Sequence, residues 1–240
     1  MTDLVKAENN LKATQDNQLI EACYSMTLNE KRLLLFGISK INPMVFPSSS
    51  KPFKFEITAK EWSAKFGDDN PWRSLIRTAD KLLGRYLTLH LKTEHHIRKI
   101  SWFEAVDYFP KEGRIVVEFG RNVQIRLAGM LEQFTTIDLL AVSQLNSTHA
   151  VRLYELLSQY KKKYKKDGWR EMTLGDFRFA MDCVNTNKGT KELKRAVLNP
   201  AVKQLNEKSD LFCTVTDIKK GRTITGFKFV FRTQEQKQLF

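Results

Sequence analysis

The segment from Lys188 to Asn206 has the amphipathic pattern of an α-helix and is followed by a β-hairpin pattern. On a period of 3.6 residues, one apolar stripe runs along this helix, formed by Leu193, Val197, Ala201 and Leu205. Another face collects cations, namely Lys188, Lys191, Lys194 and Arg195. Because arginine matches guanine edges and lysine neutralises phosphates, this pattern is typical of a helix in a DNA major groove. A solvated surface helix has the same pattern, so the segment alone leaves both interpretations open.

A weaker copy of this arrangement begins about half a chain earlier. The segment Thr58–Phe66 matches Thr173–Met181 in its threonine, acidic, aromatic and final apolar positions. Both segments have the pattern of a helix start, because the threonine hydroxyl accepts from a backbone N–H three residues on and the acid lies near the positive helix end. Glu61 completes a capping box in the first segment, and Asp176 completes a looser one in the second.

Each helix start is followed by a polar break, a basic amphipathic helix and a strand pattern. The basic helix of the first half is Pro71–Leu83. The strand patterns are Tyr86–Lys92, Lys99–Phe109 and Arg114–Phe119 in the first half, and Leu211–Ile218 and Thr223–Phe231 in the second. Two helices followed by a β-hairpin form a winged helix, a variant of the helix-turn-helix. The predicted fold is therefore α+β, with two tandem winged-helix domains.

The predicted domains meet near residue 135. Residues 1–14 are polar and unpatterned, which predicts a flexible N-terminal arm. Residues 15–134 are predicted to form the N-terminal winged-helix domain, and residues 135–240 the C-terminal one. Helices are predicted at Arg121–Met130 and Ile137–Val142, and Ser147 is predicted to cap a helix at Thr148–Tyr160.

Two features leave the packing of the helices open. The apolar face from Leu33 to Ile38 is unusually broad, and it fits either a core or part of a dimer interface. Pro200 lacks a backbone N–H and clashes with the carbonyl four residues back in a helix. We therefore expect a kink or a break of the basic helix after Leu198.

A formal charge of +13 over 240 residues favours a polyanionic partner, because neutralised phosphates release condensed counterions. DNA and an acidic membrane would both satisfy this charge. No apolar run approaches the ~18 residues that span a bilayer, and the first twenty residues lack the apolar core of a signal peptide. We expect a cytoplasmic protein that binds nucleic acid, with no membrane partner.

The sequence contains no catalytic constellation. It has no Gly-x-x-x-x-Gly-Lys-Ser/Thr loop for nucleotide phosphates. Its three cysteines and four histidines lack metal-ligand spacing, and the cysteines fit buried thiols. Tyr160 and Tyr164, beside a run of lysines, are the candidates for a nucleophile, but a cationic helix end explains that run better. We predict that the protein is not an enzyme and uses no metal or cofactor.

Several segments resemble the replication initiator (Rep) proteins of iteron-containing bacterial plasmids. They are Asn17–Met26 with Glu30–Leu34, Ala150–Tyr160, Leu193–Asn206 and, at the wing, Lys219–Arg222. The resemblance implies two winged-helix domains, and monomers that bind directly repeated iterons to start DNA replication. It also implies dimers, formed through the N-terminal domain, that repress the protein's own promoter at an inverted repeat. Host replication proteins and chaperones are the further partners that it implies.

The resemblance also indicates which residues contact double-stranded DNA. The base-reading set is Lys188, Lys191, Lys194 and Arg195 of the C-terminal domain. The backbone-contacting set is Arg73, Arg77 and Lys81 of the N-terminal domain, and Lys219, Lys220 and Arg222 of the wing. A tandem winged-helix transcriptional repressor without a replication role is the alternative function. A DNA strand-transfer or nicking enzyme is a third.

Overall fold

The chain divides into two compact units, residues 1–143 and 144–240. The computed structural model describes residues 11–21, 25–48, 50–91, 96–128, 134–161, 167–184 and 189–234. The mixture of helices and antiparallel strands confirms the α+β class. The division falls after the predicted boundary at residues 134 and 135, because the strand Phe134–Asp138 pairs with Lys12–Asp16 of the first unit.

The first unit combines a three-stranded antiparallel sheet with two strand pairs. Its helices are α1 (Asn17–Glu21), α2 (Leu28–Ser39), α3 (Ala59–Phe66), α4 (Pro71–Leu83), α5 (Arg121–Leu127) and α6 (Leu139–Gln144), the last of which runs into the division. Its strands are β1 (Lys12–Asp16), β2 (Lys54–Thr58), β3 (Tyr86–Leu91), β4 (His96–Ser101), β5 (Phe103–Phe109), β6 (Arg114–Phe119) and β7 (Phe134–Asp138). The sheet has the order β2-β6-β5, and the pairs are β3-β4 and β1-β7.

The second unit packs helices on one antiparallel sheet of order β8-β10-β9. Its elements are α7 (Thr148–Lys161), β8 (Asp167–Thr173), α8 (Leu174–Ala180), α9 (Thr190–Leu193), a π-helical turn (Lys194–Leu198), α10 (Asn199–Lys208), β9 (Leu211–Lys220) and β10 (Thr223–Thr233). We call the contiguous helical stretch of residues 190–208 the basic helix. The two predicted strands of this unit are confirmed, each extended by two residues at its C-terminal end.

Both units follow one order of elements: a helix, a strand, two helices and a strand pair. In each unit, the strand before the two helices pairs with the last strand: β2 pairs with β6, and β8 pairs with β10. The last strand is therefore the central strand of the sheet. The hairpin β3-β4 is an addition between α4 and β5. The single strand predicted at Lys99–Phe109 is wrong. The chain bends at buried Trp102, between β4, which pairs with β3, and β5, which pairs with β6.

Phenylalanine rings fill the core of the first unit. Phe55, Phe103 and Phe119, one from each strand of the sheet, lie with ring centroids 5.5–6.0 Å apart. Phe36 of α2 reaches Phe55 at 6.3 Å. The apolar side chains between Leu33 and Ile38 are at most 1% exposed. That face therefore belongs to the core of this unit and supplies no dimer surface.

The predicted helix caps are confirmed. The Thr58 hydroxyl accepts from the Glu61 N–H at 3.1 Å, and the Glu61 carboxylate accepts from the Thr58 N–H at 3.0 Å. At the second copy, the Thr173 hydroxyl accepts from the Asp176 N–H at 3.1 Å and donates to the Asp176 carboxylate at 2.7 Å. Ser147 caps α7 by accepting from the Ala150 N–H at 3.1 Å.

Two predicted segments are corrected by the pairing of β1 with β7, and a third is shorter than predicted. Residues 12–14 of the predicted arm lie in β1, where Ala13 is fully buried, and residues 1–10 lie outside the described residues. The helix predicted at Ile137–Val142 is a strand to Asp138 followed by α6. Period-2 burial and the cross-strand pair of Thr14 with Thr136 explain why the segment is extended. The helix predicted at Arg121–Met130 ends at Leu127.

Of the kink or break predicted after Leu198, the break is wrong. Leu198 and Asn199 both have right-handed helical dihedrals, and the helix continues through Pro200. The Asn199 N–H donates to the carbonyl of Lys194, five residues back. This wider turn accommodates the missing donor and the ring of Pro200 within the helix.

The prediction of buried thiols is confirmed for two cysteines. Cys183 and Cys213 are 2% and 1% exposed, and Cys23 lies outside the described residues. Burial raises the pKa of the Cys213 thiol to about 12. The reactive thiolate of Cys213 is therefore scarce at neutral pH. None of the described helices is long and apolar enough to cross a lipid bilayer.

Helix α7 contains a buried ion pair whose arginine also contacts the end of α8. Arg152 is 3% exposed, and its Nη1 lies 3.3 Å from a carboxylate oxygen of fully buried Glu155. The Arg152 Nε and Nη2 both donate to the carbonyl of Ala180, at 3.1 and 3.0 Å. The pair thereby fixes α8 on the long helix behind it.

We expect Glu155→Ala to lower the free energy of unfolding by about 3–5 kcal/mol, because it leaves the Arg152 charge buried without this carboxylate. Chemical denaturation followed by circular dichroism measures the change. Glu207→Ala is the matched control, since its pair with Lys203 at 3.9 Å is exposed; a change within about 0.5 kcal/mol is expected. Equal effects of the two substitutions would contradict the role given to the buried pair.

Candidate nucleic-acid interface

The basic helix is held by one face and open on the other. Its predicted apolar stripe is confirmed, since each of its four members is at most 2% exposed, namely Leu193, Val197, Ala201 and Leu205. Of the basic helix, the segment α10 packs against α7 and β9. The opposite side is exposed and carries Lys191, Glu192, Arg195, Ala196 and Asn199. The helix therefore presents a mainly polar surface with a fixed orientation.

The predicted base-reading cations do not share one environment. Lys191 is exposed, with no side-chain partner among the described residues. Lys194 is less exposed, and its Nζ lies 2.7 and 2.8 Å from the two carboxylate oxygens of Asp217 on β9. Lys188 lies outside the described residues. The structure thus brings Lys191 and Arg195 together on the open face, and it holds Lys194 at the flank against the wing strand.

Arg195 is highly exposed, with 75% of its side chain accessible, and it takes part in an ion pair. Its Nε and Nη2 donate to the two carboxylate oxygens of Glu192, at 3.0 and 2.8 Å. The hydrogen bonds from Arg195 lower the pKa of the Glu192 carboxyl, and the hydrogen bonds to Glu192 raise the pKa of the Arg195 guanidinium. Both groups therefore stay ionised over the physiological range, as a neutral pair.

Two polar residues on this face are absent from the sequence-based set. Glu192 contacts Arg195, and the Asn199 side chain is exposed with no partner among the described residues. Asparagine and glutamate match the donor and acceptor groups that adenine and cytosine present in the major groove. Their spacing from Arg195, three and four residues, is the signal that places them on its face. A search for cations alone overlooks them.

The wing of the second unit ends in a cationic tip. Strands β9 and β10 are joined by Gly221 and Arg222, and Gly221 has a φ of +62°, which glycine adopts without steric strain. Lys219, Lys220 and Arg222 are all exposed at this turn. The structure therefore brings the three predicted wing residues together.

Helix α4 carries the three cations of the first unit that are predicted to contact the DNA backbone. Arg73, Arg77 and Lys81 recur every four residues and are exposed, whereas Leu75 and Leu82 on the other side are buried. Arg73 and Arg77 line an open cleft of about 270 Å³ together with Asn70 and Ser74. Guanidinium, amide and hydroxyl donors in one cleft suit phosphate oxygens. Asn70 and Ser74 are further residues that a search for charge alone overlooks.

The turn between α3 and α4 is fixed by Asp68. The carboxylate of Asp68 accepts from the indole N–H of buried Trp62 and from the backbone N–H of Asn70, both at 3.0 Å. Gly67 ends α3 in the left-handed conformation, with a φ of +65°. These contacts fix the start of α4, and hence the position of its first cations.

Comparisons with known proteins agree with this architecture. The family described as Initiator Replication protein, WH1, matches residues 12–158, and Initiator Rep protein, WH2, matches residues 173–231. A replication initiation protein of Escherichia coli is 22% identical over 226 residues, which cover 93% of this chain and 70% of that protein. An uncharacterized 27.6 kDa protein of Escherichia coli is 25% identical over 215 residues, which cover 84% of this chain and 87% of that protein.

A solved structure has the same fold over nearly the whole chain. The crystal structure of Pi initiator protein in complex with iteron DNA matches with a TM-score of 0.80 and 21% identity, and the match covers 95% of this chain and 99% of that one. The two family matches identify a winged-helix domain in each half of the chain. The resemblance inferred from the sequence is thus confirmed, and the chain belongs to the plasmid replication initiator (Rep) family, with two winged-helix domains.

Proposed function

We propose that this protein is a sequence-specific initiator that binds origin iterons as a monomer to start plasmid DNA replication. The observation that carries the proposal is the basic helix, which buries one face and presents Lys191 and Arg195 on the other. In this proposal the exposed face enters the major groove and reads base edges. Lys194 contributes from the flank, and Lys188, which lies outside the described residues, stays in the proposed base-reading set.

Phosphate contacts position the two domains in this proposal. The wing tip, with Lys219, Lys220 and Arg222, contacts the backbone beside the groove that the basic helix reads. Arg73, Arg77 and Lys81 of α4 contact the backbone through the first domain. The formal charge of +13 supports such a division of roles, because phosphate contacts supply affinity without carrying sequence information.

Initiation then proceeds through binding alone, with no catalytic step by this chain. The bound protein bends the origin DNA and recruits host replication proteins, and chaperones convert dimers into active monomers. Dimers formed through the N-terminal domain repress the protein's own promoter at an inverted repeat. Membership of the initiator family supports these roles, and we place the protein on plasmid DNA in the bacterial cytoplasm.

Footprinting across the DNA that flanks the gene tests the proposal. We expect protection of regularly spaced direct repeats, with one protein per repeat by a size measurement of each complex. The protection weakens steeply as salt rises, because bound phosphates release counterions. Protection of a single inverted repeat by a dimer, with no direct repeats, would instead favour the alternative, a winged-helix transcriptional repressor without a replication role.

Arg195→Ala should weaken binding to the cognate repeat roughly 5- to 150-fold and relax the preference at one base pair, because a bidentate base contact is lost. Titrations against the cognate repeat and single-base variants measure both effects. Lys228→Ala is the matched control, since Lys228 lies on the sheet face opposite the buried Phe227 and Phe229. Equal losses on every duplex for Arg195→Ala would remove Arg195 from the base-reading set.

Arg77→Ala should weaken binding to all duplexes by a common factor and reduce the salt slope by about 0.9, because one phosphate contact is lost. Binding constants at a series of salt concentrations give this slope. The control is Lys54→Ala, an exposed cation on β2 that pairs with Glu118 at 2.9 Å and leaves the slope unchanged. A wild-type slope for Arg77→Ala would exclude a phosphate contact by Arg77.

A further inference from the structure

Glu192 is an acidic residue on the surface that we propose meets DNA. It lies on the exposed face of the basic helix, one turn before Arg195, with 48% of its side chain accessible. A carboxylate there faces a polyanion, so it weakens binding unless its charge is neutralised or it makes a specific contact. The hydrogen bonds to Arg195 supply the neutralisation in this structure.

The geometry of the pair leaves part of the arginine available. Glu192 occupies the Nε and one N–H of Nη2, and Nη1 has no partner among the described residues. A guanidinium carries five N–H donors in one plane, so its Nη1–Nη2 edge stays open while the Nε side is held. Guanine offers two acceptors, O6 and N7, that match such an edge. The carboxylate therefore fixes the guanidinium plane and points its open edge away from Glu192.

We infer that Glu192 is a specificity-determining residue that positions Arg195 for guanine and restrains it from phosphates. The inference rests on the proposed base-reading role of Arg195. A paired Arg195 has little net charge to offer a phosphate, but it can still form two hydrogen bonds to guanine. Glu192 thus weakens binding to non-cognate DNA more than to the cognate repeat, and this difference is the source of its selectivity.

The expected result of Glu192→Gln is tighter binding to non-cognate DNA and a ratio of cognate to non-cognate affinity that falls roughly fivefold or more. The substitution removes the acidic charge and one of the two acceptors, so Arg195 becomes a freely moving cation. Titrations compare a duplex with one footprinted repeat, the same duplex with each guanine replaced, and a scrambled duplex. Circular dichroism should be unchanged, because the residue is exposed.

Two further variants isolate the mechanism. In the Arg195→Ala background, Glu192→Gln should leave the affinity ratio unchanged, because Glu192 acts through Arg195; this double-mutant cycle measures the coupling. Glu207→Gln is the matched control: it removes the same charge from the same helix, where Glu207 pairs with exposed Lys203. We expect its affinity ratio to equal that of the wild type.

The outcomes separate this inference from the proposed function. The positioning role is overturned if Glu192→Gln changes cognate and non-cognate affinities by one common factor. It is also overturned if Glu192→Gln lowers the ratio of cognate to non-cognate affinity equally in the Arg195→Ala background. In both cases the proposed function stands. If the wild-type protein binds the repeat and the scrambled duplex equally, the proposed function fails, and the inference fails with it. A selective loss in Glu192→Gln that disappears in the Arg195→Ala background supports both.

Discussion

The burial of one stripe of the basic helix determines the candidate DNA-binding surface of the second unit. A short helix is marginally stable in water by itself, and packing of its apolar side supplies most of its stability. Leu193, Val197 and Leu205 are buried on this side, and α10 packs against α7 and β9. Because they fix the rotation of the helix, they also decide which polar residues face outward. The arrangement of Lys191, Glu192 and Arg195 is therefore a consequence of apolar packing on the opposite side.

Local signals in the sequence predicted most of the helices, and two of the three strands of the second unit; β8 was not predicted. The caps at Thr58 and Thr173 involve residues three positions apart, so their hydrogen bonds are visible in the sequence. The pairing of β1 with β7 is different, because it joins Thr14 to Thr136, and no local pattern indicates such a partner. The bend at Trp102 shows a related limit, because the residues on its two sides alternate as one strand would, yet they pair with different strands, β3 and β6.

The cations of the candidate site were predicted from the sequence, but their spatial arrangement was predicted only in part. Spacing placed Lys191 and Arg195 on one face, which the structure confirms. Spacing could not reveal that Asp217, on a strand beyond the helix, holds Lys194 at the flank. It also could not distinguish a free arginine from one held by Glu192. Charge counts therefore locate such a surface, whereas the pairing of each charge depends on contacts that only the fold brings together.

The π-helical turn at Lys194–Leu198 divides the basic helix into two segments with different angular phase. An α-helix advances about 100° per residue, and positions four residues apart drift by about 40° at each step. The π turn advances less per residue, so it takes back part of the drift between Leu193 and Val197. A helical wheel with constant steps consequently gives the residues after Leu198 the wrong angular phase relative to Leu193, which precedes the turn.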